Sequence, residues 1–575
     1  AADIRHRFQW NYPIAFSTHN SDRLFVAAET LFRSDDLGHS WTAISPDLTR
    51  NDKSRMGPSG GPITRDNTSI EYYGTIFALA ESQHEAGVIW AGSDDGRVNL
   101  TRDGGTNWID VTPKRLPEWA QINSIEIDPF EPGGAYLAAT RYKSDDFTPY
   151  LYKTSNWGRS WTRINRGIPD NEFTRVVRAD PVRRGLLFAG TERGLYHSLD
   201  DGRNWTSLQL DLPMVPITDL AIKGDDLIAA TQGRGYWILD DLAVLRQLDP
   251  AAQGTTLYTP GLTYRLSAGG RAENPGAAGT NPHTGVVIYY ALDAEPDADT
   301  TVELSVFEAD SETPIWTWTQ TPVEKEDEAA GPNDPPETRV LPTDIGLNRH
   351  VWDLRYPGMT RFDDLIMWAD MKAGPRAVPG RYRARLKVGD VTQEVNFDVQ
   401  QDPRSNSTLD DYKAQFTFVV QARDLLSQTH AEITRIRAMR EQLERLQTRL
   451  ASSKESTAEG ENLDETINTL LNAMTKIEEA LYQTKNESQQ DPLNYPIRLN
   501  NKLTSLMRSV AAGDAKPTDQ AHEVKAELTA TIEAHLNDLA TLWMKDLPAL
   551  QAKVGSLGLS LLVLPALNTK ESDTK

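Results

Sequence analysis

The chain has 575 residues, no cysteine and a formal net charge of −22. The lack of thiols excludes disulfides, thiolate zinc sites and cysteine nucleophiles. The acidic balance argues against nucleic acid and anionic membrane as partners, because both need basic patches.

The chain opens Ala1-Ala2-Asp3 with no initiator methionine and no signal peptide, which reads as a mature, processed polypeptide. Residues 1–255 repeat one grammar. An inner strand such as Trp10–Phe16 is followed by a second strand ending in small residues, then by a third strand that runs into a turn signature. The second-strand endings align as Phe25–Ala28, Ile89–Gly92, Tyr136–Ala139, Leu187–Gly190 and Leu227–Ala230. The signature reads Ser/Thr-x-Asp-x-Gly-x-Ser/Thr-Trp. Its copies start at Ser34, Thr101, Thr154 and Ser198, and carry Asp36, Gly38 and Trp41; Asp103, Gly105 and Trp108; Asn156, Gly158 and Trp161; and Asp200, Gly202 and Trp205. A fifth copy has decayed to Leu239-Asp240-Asp241-Leu242. In such a turn the Asp accepts main-chain N–H bonds, the Gly supplies a positive φ and the Trp packs an apolar face on the adjoining sheet. Recurrence at this period predicts a repeat architecture, and the small second-strand residues let neighbouring strands converge toward an axis.

Residues 256–403 change grammar. Val286–Tyr290, Val302–Phe307 and Arg381–Val388 are short strands, the last alternating strictly, which predicts a β-sandwich resembling fibronectin type III. Glu324–Glu337 and Gly269–Gly279 read as loops within it. Residues 404–575 turn helical. Apolar residues recur at threes and fours from Ile433 to Leu450, Leu463 to Leu481, Leu499 to Val510 and Val524 to Leu542, with a break at Ser452–Glu461. Short connections predict an antiparallel four-helix bundle with a short apolar tail near Leu561–Leu564, against itself or a partner. The longest apolar run, Leu557–Leu567, contains Pro565 and is too short to span a bilayer. The expected fold is mainly β with an all-α C-terminal domain.

The four signatures resemble the Asp-box, or BNR repeat, of sialidases, some glycosidases and sortilin-type receptors, and the resemblance implies a β-propeller. In those families the box lies on the outer edge of a blade, which makes these Asp residues structural. The chain as a whole resembles the C-terminal half of bacterial exported BNR-repeat or VPS10/sortilin-like proteins labelled glycosyl hydrolases. Phe8–Ile14, Tyr72–Ile76, Ala91–Gly96, Ala189–Gly194, Gly233–Asp241 and Gly346–Arg355 carry that likeness. The resemblance implies an extracytoplasmic location, whether periplasmic, cell-surface or secreted. It also implies larger rings or tandem propellers, so a companion N-terminal segment or polypeptide is expected to complete the ring, against a self-contained ring of five blades. The cysteine-rich module that follows the propeller in animal sortilins is excluded.

Propeller sites lie at the tunnel mouth, on the loops after the second strands and before the inner strands. Arg141, Arg193 and Arg234 can clamp a carboxylate through paired N–H donors, with Tyr73 and Trp119 as aromatic surface. The bland alternative is that these arginines tie loops together. Glycoside hydrolysis needs two carboxylates, and Asp94, Asp95, Glu71, Glu172 and Glu192 are the candidates, with no spacing that selects a pair. The Phe-Arg-Ile-Pro segment of bacterial sialidases is absent, and an arginine triad with a tyrosine nucleophile cannot be assigned. Asp293, Asp297 and Asp299 read as an acidic turn rather than a calcium site. No His-x-x-x-His spacing or phosphate-cradling loop occurs, so no metal or cofactor is expected. Two functions follow: a binding or assembly protein that takes a peptide or glycan at the tunnel mouth, with a homo-oligomer as one possible form; or a glycoside hydrolase acting on a polysaccharide.

Overall fold

The computed structural model describes residues 5–57, 59–60, 65–66, 72–266, 279, 281–297, 299–320, 340–368, 370–452, 458–556 and 563. Glu71, the loop at 324–337, all but the last residue of the 269–279 loop, and the apolar tail apart from Val563 lie outside them. The chain forms two compact units, Ala1–Leu248 and Asp249–Lys575. It is mainly β, with a C-terminal helical region.

The first unit holds four consecutive four-stranded antiparallel sheets, each an up-and-down meander, and then a three-stranded fifth. Their inner strands are Ile14–Phe16, Ile76–Glu81, Gln121–Ile127, Thr174–Ala179 and Ile217–Lys223. In sheets two to five the inner strand bulges near its start, between Ile76 and Ala78, Ile122 and Ser124, Thr174 and Val176, and Ile217 and Asp219. A bulge fixes register and bends the strand. It equates Gly92, Ala138, Gly190 and Ala230 as second-strand residues, so the third repeat aligns one residue earlier than its sequence suggested. The first repeat shifts likewise, with Ala27 opposite Leu31 as Gly190 is opposite Leu195. Small residues are required there because the next inner strand leans on them. A Cβ on Gly92 would lie 2.4 Å from Ile122 Cγ2, and one on Gly190 would lie 2.7 Å from Ile217 Cγ2.

Alternation along each strand sends one side chain to the preceding sheet and the next to the following one. Phe25 and Ala27 of sheet one meet Ile89 and Ala91 of sheet two. Trp90 meets Ile122 and Leu137. Tyr136 and Ala138 meet Leu187 and Ala189. Phe188 and Val176 meet Ile217 and Ala229.

The signature turns lock these layers. In the first turn Asp36 Oδ1 accepts Ser40 N at 2.8 Å, and Ser34 Oγ accepts Gly38 N at 2.8 Å. The second and fourth turns repeat this with Asp103 and Asp200, where Asn107 and Asn204 donate their amides to the second carboxylate oxygen. The third turn inverts the donor: Asn156 Nδ2 donates to Ser160 Oγ at 2.8 Å. Two consecutive positive φ values make each turn, at Leu37 and Gly38, Gly104 and Gly105, Trp157 and Gly158, and Asp201 and Gly202. Indole N–H groups then reach back one sheet: Trp108 Nε1 donates to Ile44 O at 3.0 Å, Trp161 to Val111 O at 2.7 Å, and Trp205 to Ile164 O. The fifth sheet has no such tryptophan. Arg246 ties it to the fourth through Asp180, at 2.9 Å.

In the second unit a three-stranded sheet (Thr256–Leu257, Val286–Leu292, Gly346–Trp352) and a five-stranded sheet share one core of Ile288, Tyr290, Leu304, Val306, Trp352 and Tyr382. Helices α1 (Leu409–Ser452), α2 (Ala458–Leu481), α3 (Leu499–Ala511), α4 (Asp519–Thr541) and α5 (Leu547–Ser556) follow. A π-helical turn, Leu542–Asp546, joins the last two. Met359, Phe362, Leu365 and Met367, from the stretch after the strand ending at Trp352, pack into the helical core with Ile433, Leu443, Ile467 and Leu539. Buried Arg265 bonds Asp514 at 2.8 Å and lies over the Tyr412 ring. Asp297 accepts Thr300 Oγ1 at 2.6 Å, closing an ordinary turn. No described helix is long and apolar enough to cross a membrane.

The interlock yields a paired test. A Cβ on Gly105 would sit 2.3 Å from Ile44 O, whereas one on Gly38 would meet nothing closer than 3.6 Å, and both glycines hold a positive φ. Gly38→Ala is expected to cost about 1 kcal/mol, from the backbone alone. Gly105→Ala should cost at least about 2 kcal/mol more, because main chain must move. Denaturant midpoints of the first unit's transition, measured side by side, check the difference.

Candidate functional site

A cavity of about 570 Å³ opens between the second and third sheets, on the side where inner strands begin and second strands end. Three segments line it: Ser54, Arg55 and Tyr73 from the long connection between sheets one and two; Asp94; and Trp119, Gln121 and Thr140–Ser144 of the third sheet.

Trp119 forms the floor. It holds a φ of +66°, unusual for a bulky residue. Its ring stacks on Tyr73 with centroids 6.2 Å apart. The guanidinium carbons of Arg50 and Arg55 lie 4.8 and 4.5 Å from the ring centre, a cation–π arrangement. Arg141 Nε donates to Glu118 O at 3.0 Å, and Lys143 Nζ to Gln121 Oε1 at 2.9 Å. Tyr142 stacks on Phe173 at 4.8 Å, with Arg175 over both rings.

The acids are structural ties. Asp94 is 5% exposed. Its Oδ1 accepts Gly74 N at 3.0 Å and Thr75 N at 2.8 Å, and its Oδ2 accepts Thr75 Oγ1 at 2.9 Å. Burial outweighs those bonds and pushes its carboxyl up to about 6. Asp95 accepts Ser93 Oγ at 2.6 Å and Arg50 N at 2.8 Å, and burial raises it too. Burial, with both aspartates nearby, pushes Tyr73 up to about 12. Together Asp94 and Asp95 fasten the Arg50 and Tyr73 segments to the second sheet.

Of the residues singled out from the sequence, the cavity gathers Tyr73, Asp94, Trp119 and Arg141, with Asp95 directly behind. Glu172 lies elsewhere, accepting Tyr196 OH at 3.0 Å. Glu192 is paired with Arg175 at 2.6 Å. Arg193 and Arg234 are exposed on later loops and do not line the cavity. Arg50 and Arg55 were not anticipated. Their signal was the length of the segment between the first signature turn and the next inner strand, far longer than its counterparts.

No family model matches the chain. A probable oligoxyloglucan-reducing end-specific xyloglucanase of Neosartorya fischeri is 26% identical over 145 residues, covering 24% of this chain and 18% of that protein. The xyloglucanase Xgh74A of Acetivibrio thermocellus is 23% identical over 163 residues, covering 26% and 19%. The photosystem II assembly lipoprotein Ycf48 of a Synechococcus is 26% identical over 156 residues, covering 25% and 45%. The matched stretches therefore span less than half of each relative. Among solved structures, the GH74 xyloglucanase of Xanthomonas campestris aligns with a TM-score of 0.31 at 16% identity, covering 69% of this chain and 65% of that one.

The raised carboxyl of Asp94 has a signed consequence. Its folded value of about 6 lies above the ordinary 3.8. The stabilisation from its protonated form is therefore complete below about pH 4 and lost as pH rises through about 6. Relative to Asp94→Asn, the native protein should lose stability on the order of 2 kcal/mol between pH 4 and pH 7. Paired thermal melts across that range measure the difference, and parallel curves would refute it.

Proposed function

We propose that the first unit is five blades of a β-propeller outside the cytoplasm, and that its cavity binds a peptide or glycan through a carboxylate and an adjoining flat apolar face. One observation carries this reading. Arg55, Arg141 and Lys143 line the cavity together with Trp119 and Tyr142, while its one acid, Asp94, is taken up by Gly74 and Thr75. On a chain of net charge −22, a cationic hollow is a local reversal that favours an anionic ligand. Aromatic faces beside charged donors suit a sugar ring or a peptide side chain. The Asp-box reading of the signature turns, a fibronectin-III-like sandwich and an antiparallel helical bundle complete the proposed architecture, the last two serving docking or self-association. The match to an assembly lipoprotein agrees with a binding role.

A second reading, a glycoside hydrolase, is favoured by one specific feature. Asp94 is pushed up to about 6, within the range of a general acid, and two matched relatives are xyloglucanases.

Calorimetry with acidic oligosaccharides and carboxylate-terminated peptides, alongside turnover assays on xyloglucan, separates them. Binding without turnover is expected. Trp119→Ala and Lys143→Ala should each weaken it roughly tenfold, the loss of about one charged or stacking contact. Xyloglucan cleavage abolished by Asp94→Asn, with Asp95→Asn and Glu192→Gln as comparisons, would establish the hydrolase instead. Absence of any binding to either panel would refute the main reading.

A further inference from the structure

Every sheet-to-sheet contact in the first unit uses the same positions, so the two terminal sheets show which positions lack their counterpart. The residue two before the small second-strand position points forward, as the small position itself does. Trp90, Tyr136 and Phe188 are at most 2% exposed against the following sheet. The third-strand partner of the small position is equally covered: Val98, Leu151 and Leu195, opposite Gly92, Ala138 and Gly190, are 0%, 0% and 5% exposed. In the fifth sheet the equivalent of those three is Tyr236, opposite Ala230, and it is 80% exposed. Ile238 beside it is 57% exposed.

The first sheet shows the complementary defect. Ile14 pairs with Val26 as Val177 pairs with Ala189. Val177 is fully covered by the third sheet, whereas Ile14 is 60% and Phe16 65% exposed. The signature turn agrees independently. Trp108, Trp161 and Trp205 bond a carbonyl of the sheet before them, but Trp41 is 43% exposed and makes no such bond among the described residues. Gly105, Gly158 and Gly202 press on Ile44, Val111 and Ile164 of the sheet before, but Gly38 touches only its own sheet. The two terminal faces do not cover each other, since Tyr236 and Ile14 are both bare.

We infer that the Ile14, Phe16, Val26 and Trp41 face of the first sheet is the docking surface for a four-stranded sheet of the same signature type, carried on polypeptide outside these 575 residues. Its fourth strand presents a main-chain carbonyl to the Trp41 indole, as Ile44 does to Trp108. The occupant follows from continuity, because three interfaces of this construction already stand in the row and the bare positions are those the repeat would cover. A further sheet of the same kind beyond Tyr236 and Ile238 satisfies the other end.

The experiment places the photo-crosslinker p-benzoylphenylalanine at position 14 of the full chain in its native host and sequences the adduct by mass spectrometry. The expected adduct is a peptide from outside the 575 residues, in a segment bearing the Ser/Thr-x-Asp-x-Gly-x-Ser/Thr-Trp signature. The crosslinker at Val182, which is 64% exposed away from this face, should not yield it. Phe16→Asp should abolish it while leaving the thermal melt of the chain unchanged, since Phe16 is already solvated. An adduct with a second copy of this chain, an adduct with a polypeptide lacking the signature, equal labelling from Val182, or no adduct at all would each overturn the inference. None of these outcomes bears on the ligand cavity, which the Ile14 and Phe16 positions do not line.

Discussion

One bond organises the first unit: an indole N–H from a signature turn to a main-chain carbonyl of the sheet before it. Ile44, Val111 and Ile164 offer carbonyls at the end of a fourth strand, where a sheet would otherwise leave an acceptor to solvent. The same turn needs a glycine because the neighbouring sheet is already in van der Waals contact with it. The turn's internal network of carboxylate and hydroxyl holds the tryptophan at the angle from which it can reach. The indole bond works beside apolar faces, which resist separation but do not set spacing or angle, and beside scattered polar ties such as Tyr136 OH to Asp201 and Arg178 to Asp219.

The cavity inherits its shape from this spacing. Its walls belong to two successive sheets and to a connection pinned down by Asp94 and Asp95. Those carboxylates hold Gly74, Thr75 and Arg50 by main-chain bonds, and thereby fix where Tyr73, Trp119 and the arginines stand. The burial that makes them good anchors also raises their proton affinity, so the anchoring and the acid-base character of this corner share one cause.

The repeats, the strand order of the first unit and the helical C-terminal region were legible in the sequence, because a tryptophan-bearing turn and a 3.6-residue period are local signals. The one-residue offset of the third repeat was not. It is set by a bulge opposite Ala138 and Ala139, and two adjacent alanines look alike in sequence. Tyr73, Trp119 and Arg141 were readable as rim residues because they flank strands. Arg193 and Arg234 satisfied the same rule and yet stand apart from the cavity, since the rule gives the level along a strand but not the position around the row of sheets. Arg50 and Arg55 escaped because a long connection carries no period. The packing of Met359 to Met367 into the helical core was equally invisible, being a contact between segments that sequence spacing does not relate.

The inverted third turn gives the row a centre of different temper. Asp36 is held down to about 2 by its hydroxyl and amide donors, and Asp103 and Asp200 are lowered for the same reason. Strong acid would protonate all three and turn acceptors into competing donors. Asn156 and Ser160 have no proton to gain in that range. Acidification therefore loosens the flanking turns while the middle one keeps its clasp.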